Sequence, residues 1–154
     1  MDAHRAGDAL AASALDLARV WRAGRAAARP EAFPGLLDGL VESFLQVAGE
    51  LLAEGRDPAL VWPASAGVVR IPRDAQRAHE ELDAEWDLVE EVLAAALQAL
   101  QAGEAAVEWM RRAVVIGRAG TRHLGPRSGP PGVLALSVLS DAGATRRGRG
   151  PSPR

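Results

Sequence analysis

Cysteine, lysine, asparagine and tyrosine are absent from this 154-residue chain. Without cysteine there can be no disulfide and no thiolate metal site, so stability has to come from packing alone. Aromatic residues are only 4% of the chain, against 48% hydrophobic residues overall, much of that alanine. The expected core is therefore small and aliphatic, with Trp21, Trp62, Trp86 and Trp109 as its large anchors. No uninterrupted apolar run approaches the roughly 20 residues that span a bilayer. The start, Met1-Asp2-Ala3-His4-Arg5-Ala6, lacks the basic opening and apolar run of a secretory signal. A soluble, cytoplasmic protein with no membrane partner is expected.

All 18 basic residues are arginine, which reads as coding bias and not as selection for arginine's bidentate chemistry. Their distribution says more than their number. Residues 1–117 hold 11 arginines against 19 acidic residues, a net of −8, whereas residues 118–154 hold 7 arginines and one acid, a net of +6. An acidic body repels nucleic acid, so any polyanion contact would have to come from the tail.

The length fits one domain. Within it, two apolar stripes step by three and four: Leu37, Leu40, Phe44, Val47 and Leu51, then Leu82, Trp86, Val89, Leu93, Ala96 and Leu100. Such spacing puts each set on one helix face that must be buried. A first helix is expected over residues 2–28, with Leu10, Ala14, Leu17 and Trp21 as its seam and Pro30 as its stop. Pro34 suits the first turn of a second helix, which runs to about residue 54, where Gly55 and Asp57-Pro58 end it. Residues 56–73 read as a packed connection. Asp74 can cap a third helix reaching about residue 102, and Gly103 separates it from a fourth over 104–116 that buries Val107, Met110 and Val114. After Gly117 the composition changes to 7 glycines and 5 prolines among residues 118–154. That composition predicts a flexible tail in which only residues 133–139 carry enough apolar character to dock.

Trp21, then Phe33-Pro34-Gly35-Leu36-Leu37-Asp38-Gly39-Leu40, then Ala78-His79 and Leu82-Asp83-Ala84-Glu85-Trp86-Asp87-Leu88 together resemble the RsbR/RsbRD-type N-terminal sensor domain over about residues 15–102. That family supplies input modules of stressosome co-antagonists and of some bacterial sensor kinases. The resemblance implies an all-helical, globin-like or bundle module that senses a signal or partner, does no chemistry and often dimerises. This chain lacks the output domain usually attached, so it would act on a separate partner.

His79, Asp83 and Asp87 lie at i, i+4 and i+8, so one helix face can offer an imidazole and two carboxylates to a metal, or simply be a solvated acidic face. Glu80, Glu81, Glu85, Glu90 and Glu91 can include a general acid and base, since a buried carboxylate is tuned toward neutral pH, or simply be the exposed face of a soluble helix, which needs no such explanation. His4, His79 and His123 are scattered, and His79, the one heme-ligand candidate, is flanked by Glu80 and Glu81, a poor setting for an apolar cofactor. A second row on helix two, Val41, Leu45, Ala48 and Leu52, makes its apolar stripe wider than one partner helix covers, as a central helix or a subunit interface requires. Trp21, Val41, Phe44, Leu45, Leu52, Trp86 and Trp109 are thus the interface or pocket candidates.

The prediction is an all-α, antiparallel four-helix bundle, or globin-like domain, over residues 1–117, with a flexible basic tail over 118–154. Its expected function is that of a non-enzymatic regulatory or sensor-like module, without cofactor or resident metal. It would act by contact with a signalling protein and as a homodimer. The alternative is a small metal- or cofactor-binding bundle, or an enzyme, centred on His79.

Overall fold

The structure, a computed structural model, describes residues 1–30, 35–62 and 75–123. Asp2 opens the first helix, α1 (Ala3–Ala12), by accepting a 2.9 Å hydrogen bond from the Arg5 amide, the arrangement that satisfies an orphan N–H at a helix start. Four further helices follow among the described residues: α2 (Ala14–Ala28), α3 (Val41–Ala53), α4 (Ala75–Ala99) and α5 (Glu104–His123). A 3-10 turn, Pro58–Leu60, capped by the Asp57 carboxylate, precedes Val61 and Trp62. The fold is all-α.

The helix expected over 2–28 is two helices. The Ser13 amide is shared between the carbonyls of Ala9 and Leu10, at 3.1 and 3.2 Å, and ψ of Ser13 opens to 3°. The buried line then runs Leu10, Ala14, Ala18, Trp21 and Arg25, with Leu17 only partly buried beside it.

The second helix begins later than the sequence suggests. Residues 36–40 form turns, with the Asp38 amide reaching the Gly35 carbonyl and the Leu40 amide the Leu37 carbonyl, while the amides of Leu36 and Leu37 donate to the Glu85 side chain. Arg22 Nε anchors the same turns through a 2.7 Å bond to Asp38. Once formed, α3 occupies the centre. Val41, Phe44, Leu45, Ala48 and Leu52 are all nearly inaccessible, because α1, α2 and α5 each pack against α3.

Glycines make the closest of these crossings. A Cβ on Gly49 of α3 would lie 2.5 Å from the Ala11 amide nitrogen and 2.7 Å from the Gly7 carbonyl, so α1 and α3 meet backbone to backbone. Helix α4 ends in the same way as α3. Gln101 takes φ 51° while the Ala102 amide reaches the Leu97 carbonyl, and Gly55 takes φ 66° while the Arg56 amide reaches the Leu51 carbonyl.

The fourth predicted helix, expected to end at residue 116, extends past Gly117 to His123. Gly117 is not a breaker but a contact. A Cβ there would sit 2.5 Å from Cη2 of Trp86, and Gly120 one turn on is covered by the Trp62 ring. The expected docking of residues 133–139, the remaining tail, the proposed cap at Asp74, the Pro34 helix start and most of the 56–73 connection lie outside the described residues.

Candidate functional site

The residues nominated as interface candidates are, with one exception, core. Trp21, Val41, Phe44, Leu45, Leu52 and Trp86 are each at most 3% exposed. Trp86 meets the edge of Phe44 in a T-shaped contact, centroids 5.0 Å apart and planes at 81°, and its indole N–H donates to Thr121 Oγ1 at 2.8 Å. The Trp21 indole donates to the Glu85 carbonyl at 3.1 Å. Trp109 is half-buried and donates to the Arg56 carbonyl at 2.7 Å, which ties α5 to the chain after α3. The wide stripe of α3 is therefore explained by its central position within one chain.

Glu85 belongs to no soluble face. Its side chain is fully buried and gathers three donors: Arg25 Nε and the Leu36 amide, each 2.9 Å from Oε1, and the Leu37 amide, 2.8 Å from Oε2. Burial pushes its carboxyl above the ordinary value, and the two amides and the Arg25 charge pull against that. Arg25 is 3% exposed and its Nη2 has no hydrogen-bond partner. The arrangement joins α2, the 36–40 turns and α4 at one point. A sequence signal existed: Glu85 follows Leu82 by three and precedes Val89 by four, and Arg25 follows Trp21 by four, so both charges lie on apolar stripes. Two opposite charges so placed have to find each other.

The three residues considered for a metal do not converge as ligands. Asp83 accepts from Arg122 Nη2 at 2.6 and 2.7 Å and from Arg118 Nη1 at 3.3 Å, while Asp87 accepts from Arg118 Nη2 at 2.7 Å. Among the described residues no group of three His, Asp or Glu side chains is placed to hold a metal ion. His79 Nε2 is buried without a hydrogen-bond partner. The arginines in this network come from 118–123, the part of α5 that composition assigned to a flexible tail, and their pairing with α4 joins that stretch to the body.

Beside an open hollow of about 370 Å³ at Val115, Arg118, Ala119 and Arg122, α5 forms with α4 a groove of about 100 Å³. Its floor is Leu93, Leu97, Met110 and Val114, all buried, and its edges are Glu90 and Ala94 on α4 and Val107 and Arg111 on α5. Val107 was expected to be buried with Met110 and Val114 but is 46% exposed at the groove edge. Val115, also on α5, is 58% exposed. Glu90 was read from sequence as one of a row of exposed glutamates and Arg111 was not singled out, because a charge on an exposed helix position carries no distinguishing signal.

The groove can take an apolar side chain, and of the two charges at its rim Arg111 donates to Glu108 at 2.9 Å through both Nε and Nη2 while Glu90 lies 3.7 Å from Arg118. None of the described helices is long and apolar enough to cross a membrane. Compared with known proteins, the chain matches no family model, no curated protein and no solved structure.

Proposed function

We propose that this chain is a non-enzymatic, sensor-like regulatory module that works by protein–protein contact, and that the α4–α5 groove is its contact face. The observation that carries this reading is the groove itself: an apolar floor flanked by the exposed Val107, with Glu90 and Arg111 at the rim. An apolar centre with a polar, mixed-charge rim is the anatomy of a recognition surface, whereas isolated exposed apolar side chains are ordinary. The resemblance to the RsbR/RsbRD-type sensor domain agrees with a module of this class, with a separate signalling protein as its target. The alternative of a metal-binding bundle at His79, Asp83 and Asp87 would require breaking the Arg118 and Arg122 ion pairs.

Because the chain has no cysteine, Val107→Cys introduces a single thiol at the groove edge. Its rate of modification by a soluble thiol reagent is compared between dilute pure protein and an extract of the cells that make it. A partner on this face slows modification by about tenfold or more, as occupancy of most sites requires. An unchanged rate in extract and in concentrated pure protein would remove the reading.

A further inference from the structure

We infer that the occupant of the α4–α5 groove is a segment of this same chain, residues 133–139, seated over Leu93, Leu97, Met110 and Val114. The inference rests on the reading of the groove as a contact face and names its regulation: a separate partner gains the face by displacing the segment.

Thirty-one residues follow His123, the last of α5, and their apolar character is concentrated in one place. Val133-Leu134-Ala135-Leu136-Ser137-Val138-Leu139 carries five large aliphatic side chains and no charge, whereas the rest of 124–154 has Leu124 alone. Such a run gains free energy by leaving water for an apolar surface within reach. The groove supplies one, with four buried apolar residues as its floor and Val107 at its edge. Met110 in that floor has an unbranched side chain that adapts to what enters.

Reach permits the contact. Val114 and Val107, at the two ends of the groove on α5, precede His123 by about 14 and 24 Å of helix at 1.5 Å per residue. The connecting residues 124–132 can span up to about 30 Å when extended, so both ends are accessible to residue 133. Six of these nine are glycine or proline, residues that oppose continuation of α5 and suit a reversal of the chain.

Charge favours the same occupant. Asp83, Asp87, Glu90 and Glu91 on α4 are offset by Arg118 and Arg122 alone, since on α5 Glu104 and Glu108 balance Arg111 and Arg112. The edge of the groove is therefore acidic, and residues 124–154 hold five arginines against Asp141. Arg146 stands seven positions beyond Leu139, up to about 23 Å, so Arg146, Arg147 and Arg149 can lie along that edge while the apolar run is seated. Tethering supplies a local concentration on the order of 1 mM, and a contact of about 0.1 mM affinity then fills roughly nine grooves in ten.

The test uses the full chain carrying Val107→Cys or, as a control outside the groove, Val20→Cys on α2, an exposed position. Modification by a soluble thiol reagent is timed in dilute pure protein, with the native tail and with Leu134→Asp and Leu136→Asp together. At Val107→Cys the substituted tail should speed modification by about tenfold, as loss of an occupant from nine grooves in ten requires. The native-tail rate should be independent of protein concentration, and Val20→Cys should react alike with either tail. Replacing Arg146, Arg147 and Arg149 by glutamate should also speed modification at Val107→Cys.

Equal rates at Val107→Cys with both tails overturn the inference. So does acceleration of both thiols together, which makes the tail a support of the whole fold, or shielding that grows with concentration, which assigns the groove to another copy. The contact-face reading is separated from it by the substituted-tail protein, whose groove is open when dilute. If the tail has no effect but that protein's thiol is slowed in cell extract, only the cis occupant falls. If neither the tail nor the extract slows the thiol, both readings fall.

Discussion

Arg25 and Glu85, sixty positions apart, form an ion pair with almost no access to solvent, Nε to Oε1 at 2.9 Å. Glu85 also accepts the amides of Leu36 and Leu37, so one carboxylate organises a helix, a turn and a second helix. Glu85→Gln leaves the Arg25 guanidinium buried without its counter-charge and is expected to cost about 3–5 kcal/mol. Replacing both partners by apolar residues, Arg25→Met with Glu85→Leu, removes the stranded charge but leaves two amides without acceptors, each worth roughly 1–3 kcal/mol. Two such amides together cost roughly 2–6 kcal/mol, so the double variant should be destabilised about as much as Glu85→Gln in urea titrations. A Glu85→Gln protein as stable as the wild type would show that the pair does not hold these elements together.

Two glycines give opposite expectations for the same substitution. Gly49→Ala drives a methyl into the α1 backbone and should destabilise by about 1–3 kcal/mol, despite alanine's better helix propensity. Gly39→Ala meets nothing within 4 Å and should stabilise by roughly 0.4–1 kcal/mol through the unfolded chain. Thermal melts of the two variants side by side check the sign of each.

Gln101 holds a left-handed backbone at the end of α4, with φ 51°, where glycine pays no steric penalty. Gln101→Gly is expected to raise stability by roughly 0.5–1 kcal/mol, and Gln101→Val to lower it by at least as much. Denaturant midpoints at constant slope measure both.

His4 lies against the Ala53 carbonyl, its Nδ1 2.8 Å away, with Asp8 at 3.5 Å from Nε2. The carbonyl and then the Asp8 charge hold the imidazole above its ordinary value of 6.5. A folded value raised above the unfolded one makes the contribution complete below pH 6.5 and removes it as pH climbs through the folded value. Melting temperature should accordingly fall as pH is raised across that window, and the slope should vanish in His4→Gln. Imidazole NMR titration gives the folded value directly, and a value at or below 6.5 would contradict the contact.

Periodicity in the sequence determined that this chain is helical, and it located the stripes of α3 and α4, the glycine stop at Gly55 and the break before α5, because i, i+3, i+4 spacing and turn residues are local properties. Locality is also why the sequence misplaced the ends. Nothing near Leu36 and Leu37 says that their amides are claimed by Glu85, and nothing near Gly117 says that a tryptophan thirty-one positions earlier needs its missing Cβ. The width of the α3 stripe was legible, but whether a second molecule or this chain covered it was not. That was decided by Gly7 and Gly49, which let α1 come close enough to do so. The candidate groove follows the same division. Val107, Met110 and Val114 share one face by spacing alone, but only the tertiary arrangement, which sets Val107 at the edge of the groove and the other two in its floor, leaves that valine open while its two neighbours are buried. Burial is a property of what lies across the gap, and that partner is chosen by contacts distant in sequence.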